Sequence, residues 1–408
     1  MAASNSDKRQ QAALPVCALL LVATGIPAVS PLSALWTTPL LLAAALLIAW
    51  AAESAQFFMA QGFALAILAW LQTLPEFAVE AVLAWKQDVP LLMANLTGAL
   101  RLLVGLGWPL IYGTAALFSR RRRKRALDCI VLEDEQAIEV VGLIASFAYI
   151  PVIWWKRTLT LADAAVLAAV YVAYLALLQR MPAAREESID QLEGVPRAIV
   201  RAPRRIRNGA ICGFFVLGGG LIYFMAEPFL ASLLALSQVW RIPEFVFVQW
   251  VAPFVSEFPE KVSALYWART VDRASTAVMN MVSSNINQWT LLAAMLPIVY
   301  SLSRGTVSSI PLDDQQAFEI LLTFGQSLLA ALFLLDMKVH WWEAGGLFLL
   351  WVVQFALSAH PGVVHTYIAG AYYVWAGVEI ARILAGRRRP QAFVLFGVMW
   401  KRHLRRVG

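Results

Sequence analysis

Cysteine, histidine and charge are all scarce in this chain. The three cysteines (Cys17, Cys129, Cys212) have no paired spacing, so neither a disulfide framework nor a zinc site follows, and they read as packing residues. The four histidines (His340, His360, His365, His403) form no HExxH pair, which excludes the zinc-protease arrangement. No Ser-His-Asp constellation can be argued from them either, and no enzyme is expected. Charged residues make up only 14% of 408 and hydrophobic residues 60%, whereas soluble domains are about a quarter charged. The composition is that of a polytopic membrane protein.

A membrane helix needs roughly 20 mainly apolar residues, and by that measure the sequence predicts about 12 spans. They are 12–29, 34–53, 61–85, 90–118, 138–155, 158–180, 209–237, 243–268, 276–303, 315–335, 338–358 and 364–386. The first lacks a small-residue cleavage site and runs directly into another span, so it reads as a helix and not a signal peptide. The net charge of +7 does not point to nucleic acid, because the basic residues cluster in loops. "SRRRRKRALD" (119–128), the Arg-rich 180–207, "ARTVDR" (268–273) and the tail from Arg387 fall on one side, which the positive-inside rule makes cytoplasmic. Both termini join them, N-in and C-in. Lys156, Arg157, Arg241 and Arg304 fall in outside connections. A bacterial inner membrane is the economical location, with the lipid bilayer as the first partner.

The chain repeats itself. "LEDEQAIEV" (132–140) matches "LDDQQAFEI" (312–320) at an offset of 180, pairing Gln136 with Gln316 and Glu139 with Glu319. "TLPEF" (73–77) matches "EFPEK" (257–261) at 184, Asn95 matches Asn280 at 185, and "WPLIY" (108–112) matches "LPIVY" (296–300) at 188. Two halves follow, 34–180 and 209–358, each of five predicted spans. Five is odd, so the second copy enters the membrane from the opposite side. The expected fold is all-α: two inverted-topology five-helix repeats with one extra helix at each end. The N-terminal tail and first extra helix occupy 1–33, the basic linker 181–208, and the last helix with its basic tail 359–408. Inverted repeats with interrupted spans point to secondary transport, with a site near the midplane where the halves meet.

Pro75 and Pro259 stand inside apolar runs, each followed by an acid, Glu76 or Glu260. Proline interrupts a helix and frees backbone carbonyls, tolerable at membrane depth only if they line a cavity or meet a partner. A buried carboxylate needs a partner as well, and an inorganic cation fits both. Glu80 shares a helix face with Glu76, with Thr73 one turn earlier; alternatively it is an end-of-helix group reaching water beyond Trp85. On the second broken helix Glu257 and Glu260 are three apart beside Ser256, and Lys261 either neutralises an acid or snorkels away. In "VMNMVSSNINQW" (278–289), Asn280, Ser284, Asn287 and Gln288 fall on one helical face, as ligands or as helix-to-helix glue. In "MANLTGALRLL" (93–103) the set thins to Asn95, Thr97 and Arg101, with Gly98 permitting close approach. Arg101 lies mid-span and requires a carboxylate; Glu80 or Glu76 is the expected one.

These residues resemble the cation/calcium exchanger superfamily, which includes the sodium/calcium exchangers. "QTLPE" (72–76) and "SEFPE" (256–260) are similar to the family's first motif and "SSNINQ" (283–288) to its second. The resemblance spans about residues 34–358 and implies an antiporter, with calcium or another divalent cation as cargo, sodium or protons as counter-ion, and no cofactor. It makes Glu76 and Glu260 central ligands, with Thr73, Glu80, Asn95, Ser256, Glu257, Asn280, Ser284 and Gln288 around them. There are departures: Ala99 and Leu103 stand where ligands are expected, and Arg101 adds an internal counter-charge. Those departures keep a second reading open, an exchanger-fold protein without transport that serves as a membrane sensor or assembly partner. The oligomeric state is not legible.

Overall fold

The computed structural model describes residues 30–55, 73–180, 194–358 and 361–404, with Phe58 and Trp70. The expected span 12–29, most of 61–72 and residues 181–193 of the linker lie outside the described residues. Helix α1 (Ala34–Ala55) is followed by α2 (Leu74–Trp85), then α3 (Val89–Leu102) and α4 (Trp108–Phe118) joined by a π-helical turn, Leu103–Gly107. Strand β1 (Cys129–Val131), helices α5 (Ala137–Phe147) and α6 (Ile150–Lys156), strand β2 (Thr158–Leu159) and helix α7 (Leu161–Leu178) complete this stretch. Helices α8 (Gly194–Arg201), α9 (Arg204–Trp240), α10 (Glu244–Ser256) and α11 (Phe258–Ala268) follow. Then come α12 (Ala274–Asn287) and α13 (Ala293–Arg304), again joined by a π turn, Gln288–Leu292, and β3 (Ile310–Pro311) with α14 (Asp314–Leu334). The chain closes with β4 (Lys338–His340), α15 (Trp341–Ala356), α16 (Pro361–Leu384) and α17 (Gln391–Met399).

Six helical stretches among the described residues are long and apolar enough to cross a membrane: Pro31–Ala55, Val89–Arg123, Asp134–Lys156, Leu161–Leu178, Arg204–Trp240 and Asp314–Leu334. The expected span 243–268 is instead two helices, α10 and α11, parted at Glu257, as the proline two residues on dictates. Residues 391–399, read from sequence as basic tail, form the short apolar helix α17. The all-α expectation also meets two small strand pairs.

Those pairs are reciprocal. β1 pairs antiparallel with β4 (Ile130 opposite Val339), and β2 with β3 (Leu159 opposite Ile310). The α5–α6 segment runs from β1 to β2, and α14 runs from β3 to β4. Each start therefore lies beside the other's end, and the two segments run in opposite directions. Arg157, just past α6, accordingly reaches Asp314 at the start of α14, 3.1 Å away. Asp134 and Asp314 are both exposed. Cysteines placed at these two positions, in a chain with its native cysteines replaced, are expected to react with an impermeant thiol reagent from opposite sides of the membrane. Labelling of both from one side would rule out the inverted arrangement.

Side-chain caps set several helix starts. Asp313 accepts the Gln316 backbone N–H at 2.8 Å while the Gln316 side chain accepts the Asp313 N–H at 3.0 Å, a reciprocal capping box. Thr160 and Asp163 do the same for α7, and Asp88 caps α3 through Leu91 N–H at 3.2 Å.

The chain divides into two compact parts, Met1–Val79 with Pro182–Ile242 and Val255–Pro259, and the remainder. In the first, α1 packs along α9, with Thr37 and Ser232 hydroxyls 2.9 Å apart in the buried seam. In the second, α14 is central and packs on α3, α5 and α16. Helices α3 and α10 touch backbone to side: a Cβ at Gly98 would stand 1.9 Å from the Gln249 carbonyl oxygen, so only glycine permits this approach. Trp250 and Trp351 meet edge-to-face at 5.9 Å over Leu102.

Candidate functional site

Glu76 and Glu260 occupy equivalent local positions. Each lies in the first turn of a helix, α2 or α11, directly after a proline. Proline suits a first turn because its missing N–H would have no intrahelical acceptor there. The unpaired N–H groups and macrodipole of a helix start also favour an ionised carboxylate at that place. Thr73 caps the first of these turns, its carbonyl accepting the Glu76 and Phe77 N–H groups at 3.1 Å. Ser256 ends α10, and Glu257 forms the turn into α11.

Glu76, Glu80, Glu257 and Glu260 are each no more than 2% exposed. Glu80 therefore does not reach water beyond Trp85, and its Oε1 accepts a hydrogen bond from Asn95 Nδ2 at 3.3 Å. Glu260 accepts a hydrogen bond from the Ser284 hydroxyl. Within the larger part of the chain, an acid of each interrupted helix thus meets a polar residue of the next one, on α3 and on α12. Gln288 is fully buried and opens the π turn after α12; π turns recur at functional sites. Asn280 is only half-buried, unlike its sequence counterpart Asn95. Lys261 is buried and stays inside the protein, which removes the snorkelling alternative. Among the described residues no three His, Cys, Asp or Glu side chains converge on one point. Ion ligation here would draw on hydroxyl, amide and carbonyl oxygens besides the acids.

The partner of Arg101 differs from the expectation. Its Nη2 pairs with Glu319 on α14 at 2.6 Å, both side chains being buried, and not with Glu80 or Glu76. Glu80 faces Asn95 instead, whereas the register of α14 turns Glu319 inward. The guanidinium is also tied to its own helix, Nε to the Thr97 carbonyl at 3.0 Å and Nη2 to the Thr97 hydroxyl at 3.2 Å. Glu319 takes a further hydrogen bond from Gln249 Nε2 on α10 at 3.0 Å, and His365 Nδ1 of α16 lies 3.2 Å from its other oxygen. Gln326 donates to the Arg101 carbonyl at 3.2 Å. A mid-helix arginine thereby links α3, α10, α14 and α16.

Glu319, Gln249, Gln326 and His365 were not anticipated in this role. "LDDQQAFEI" reads as a helix start with its acids in water, which holds for Asp314 but not for Glu319. A signal was present: Glu319, Thr323, Gln326 and Ser327 recur at helical spacing, and all four are buried.

Interrupted helices with buried acids, set among long apolar helices, define a membrane transporter. The chain belongs to the sodium/calcium exchanger protein family, whose model matches residues 11–179 and 211–359. Members of this family are transporters and not enzymes. The chain is similar to the crystal structure of an H+/Ca2+ exchanger, CAX, with 33% identity over 98% of this chain and 99% of that one and a TM-score of 0.86. The fold is also that of the sodium-calcium exchanger NCX_Mj, with 17% identity, 79% and 96% of the chains covered and a TM-score of 0.54. A further likeness is YfkE, with 14% identity, 89% and 98% coverage and a TM-score of 0.57. No curated protein sequence matches the chain.

Proposed function

We propose that the protein is a secondary active antiporter that moves calcium or another divalent cation by alternating access, in exchange for protons or sodium. The observation that carries this reading is the doubled Pro–Glu helix start, with Glu76 and Glu260 each buried in the first turn of an interrupted helix. Near-full-length similarity to an H+/Ca2+ exchanger supports it. Glu76 and Glu260 act as the central ligands, one from each half. Thr73, Glu80, Asn95, Ser256, Glu257, Asn280, Ser284 and Gln288 supply further oxygens, and calcium takes about six to eight. The halves 34–180 and 209–358 are inverted repeats, flanked by one extra helix each, in a bacterial inner membrane with both termini inside. The reciprocal strand pairs support that inversion.

Arg101, paired with Glu319, acts as a fixed internal cation that takes the place of a bound sodium ion. Coupling then falls to protons, which acids such as Glu76 and Glu80 accept when the divalent ion leaves. Calcium uptake into proteoliposomes, energised separately by a sodium gradient and by a pH gradient, tests this. Uptake is expected with the pH gradient alone; uptake driven by sodium and not by pH would refute the role given to Arg101.

A second reading, an exchanger-fold sensor or assembly partner without transport, is favoured by Arg101 and Ala99 on α3 with Leu103 at the start of the π turn that follows. Calcium binding to the purified protein, with no flux under either gradient, would select it.

A further inference from the structure

At the end of α16 the structure holds a cavity of about 570 Å³, lined by Lys338, Arg382, Arg387, Arg389 and Trp342, and by Asp336, whose carboxylate is paired with Arg388. We propose that this cavity binds the phosphate-bearing headgroup of an anionic phospholipid.

The cavity is a built site and not a loose cluster of basic side chains. Gly386, at φ +69°, ends α16 in the left-handed conformation, and the Arg387 N–H then bonds back to the Arg382 carbonyl at 2.8 Å. Arg388 turns inward and is buried. Its guanidinium meets Glu343 at 2.6 Å, Glu379 at 2.8 Å and Asp336 at 3.0 Å, and donates to the Phe333 carbonyl at 2.7 Å. Two residues after Pro390, the chain is fixed again where the Ala392 N–H bonds to the Leu335 carbonyl at 2.9 Å. The loop is therefore held at both ends and at its centre.

Arg387 and Arg389, on either side of this clamp, are exposed, as is Lys338 opposite. None of the three has an ion pair or a side-chain hydrogen bond among the described residues. Arg388 already satisfies the buried acids, so these three charges remain available for an anion. Phosphate oxygens suit such guanidinium groups, which bind them through paired hydrogen bonds. Close by in sequence, Leu384, Trp341, Val394 and Phe393 expose large apolar surfaces, 82%, 64%, 58% and 47% respectively. A soluble phosphate compound would leave that surface bare, whereas the acyl chains of a lipid cover it. Basic pockets at the ends of membrane helices on the cytoplasmic side are a usual setting for anionic headgroups.

The test is binding of fluorescent phosphatidylglycerol, and of phosphatidylcholine as its neutral counterpart, to the full-length protein in uncharged detergent. Arg387→Gln with Arg389→Gln is compared with Arg121→Gln with Arg122→Gln, an equal charge change in another exposed basic cluster. The first pair is expected to weaken phosphatidylglycerol binding about 30-fold, given roughly one kcal/mol per basic residue near a membrane surface. The second pair leaves it unchanged, and phosphatidylcholine does not bind. Equal losses in both pairs would reduce the site to diffuse attraction and overturn the proposal. Displacement of the lipid by inorganic phosphate or ATP at matching concentration would assign the cavity to a soluble phosphate and overturn the lipid.

Discussion

Replacing Glu260 with glutamine is expected to abolish calcium uptake while leaving the protein folded, and Glu76→Gln is expected to do the same. Each substitution keeps shape and hydrogen-bonding capacity, so the Ser284 hydroxyl that donates to Glu260 still has an oxygen acceptor. The one negative charge is lost, in a place where water does not replace it. Removing one partner of a buried charge pair costs about 3–5 kcal/mol, or roughly 100- to 4000-fold in ion affinity. The measurement is uptake by proteoliposomes containing equal amounts of each variant, with thermal stability in detergent as the control for folding. Normal transport by both variants would end the assignment of these acids as ligands.

Arg101→Leu is the second large effect. It leaves Glu319 inside the protein with Gln249 and His365 but without the guanidinium 2.6 Å away. A loss of about 3–5 kcal/mol of stability is expected. The double variant Arg101→Leu, Glu319→Leu removes both charges and recovers much of that loss, because an apolar pair of similar volume often replaces a buried ion pair without penalty. Thermal denaturation of the purified single and double variants decides the matter. If the double variant is no more stable than the single one, Glu319 is not what Arg101 holds.

The sequence made Glu76 and Glu260 legible because proline and an acid inside an apolar run contradict their surroundings, and the contradiction occurs twice. Membership of the exchanger family was legible for the same reason. The partner of Arg101 was not, since Glu319 is 218 positions away in sequence (319 − 101) and follows closely on acids that do lie in water. Only the phase of α14 turns Glu319, five residues beyond its Asp314 start, inward while Asp314 stays outside. The strand pairs were equally hidden. Strands of two and three residues have too little length for alternation to register, and their partners come from the opposite half. Helix α17 was hidden by its length, its apolar run being too short to read as a span beside so many basic neighbours.

The π turns that join α3 to α4 and α12 to α13 impose a constraint of length. Each holds one residue more than an α-helical turn would, and they stand at Leu103–Gly107 and Gln288–Leu292, directly after two helices, α3 and α12, that start and end at the same offset of 185 (288 − 103). Removing that residue would turn everything beyond it by about 100° and draw it in by about 1.5 Å. Trp108, Ile111, Tyr112 and Ala115, the buried face of α4, would then swing away from the core, while Leu110 and Leu117 on the outside would swing towards it. Insertions and deletions that a surface loop absorbs without consequence are thus forbidden here, so each of these two long helices is fixed in length to the residue.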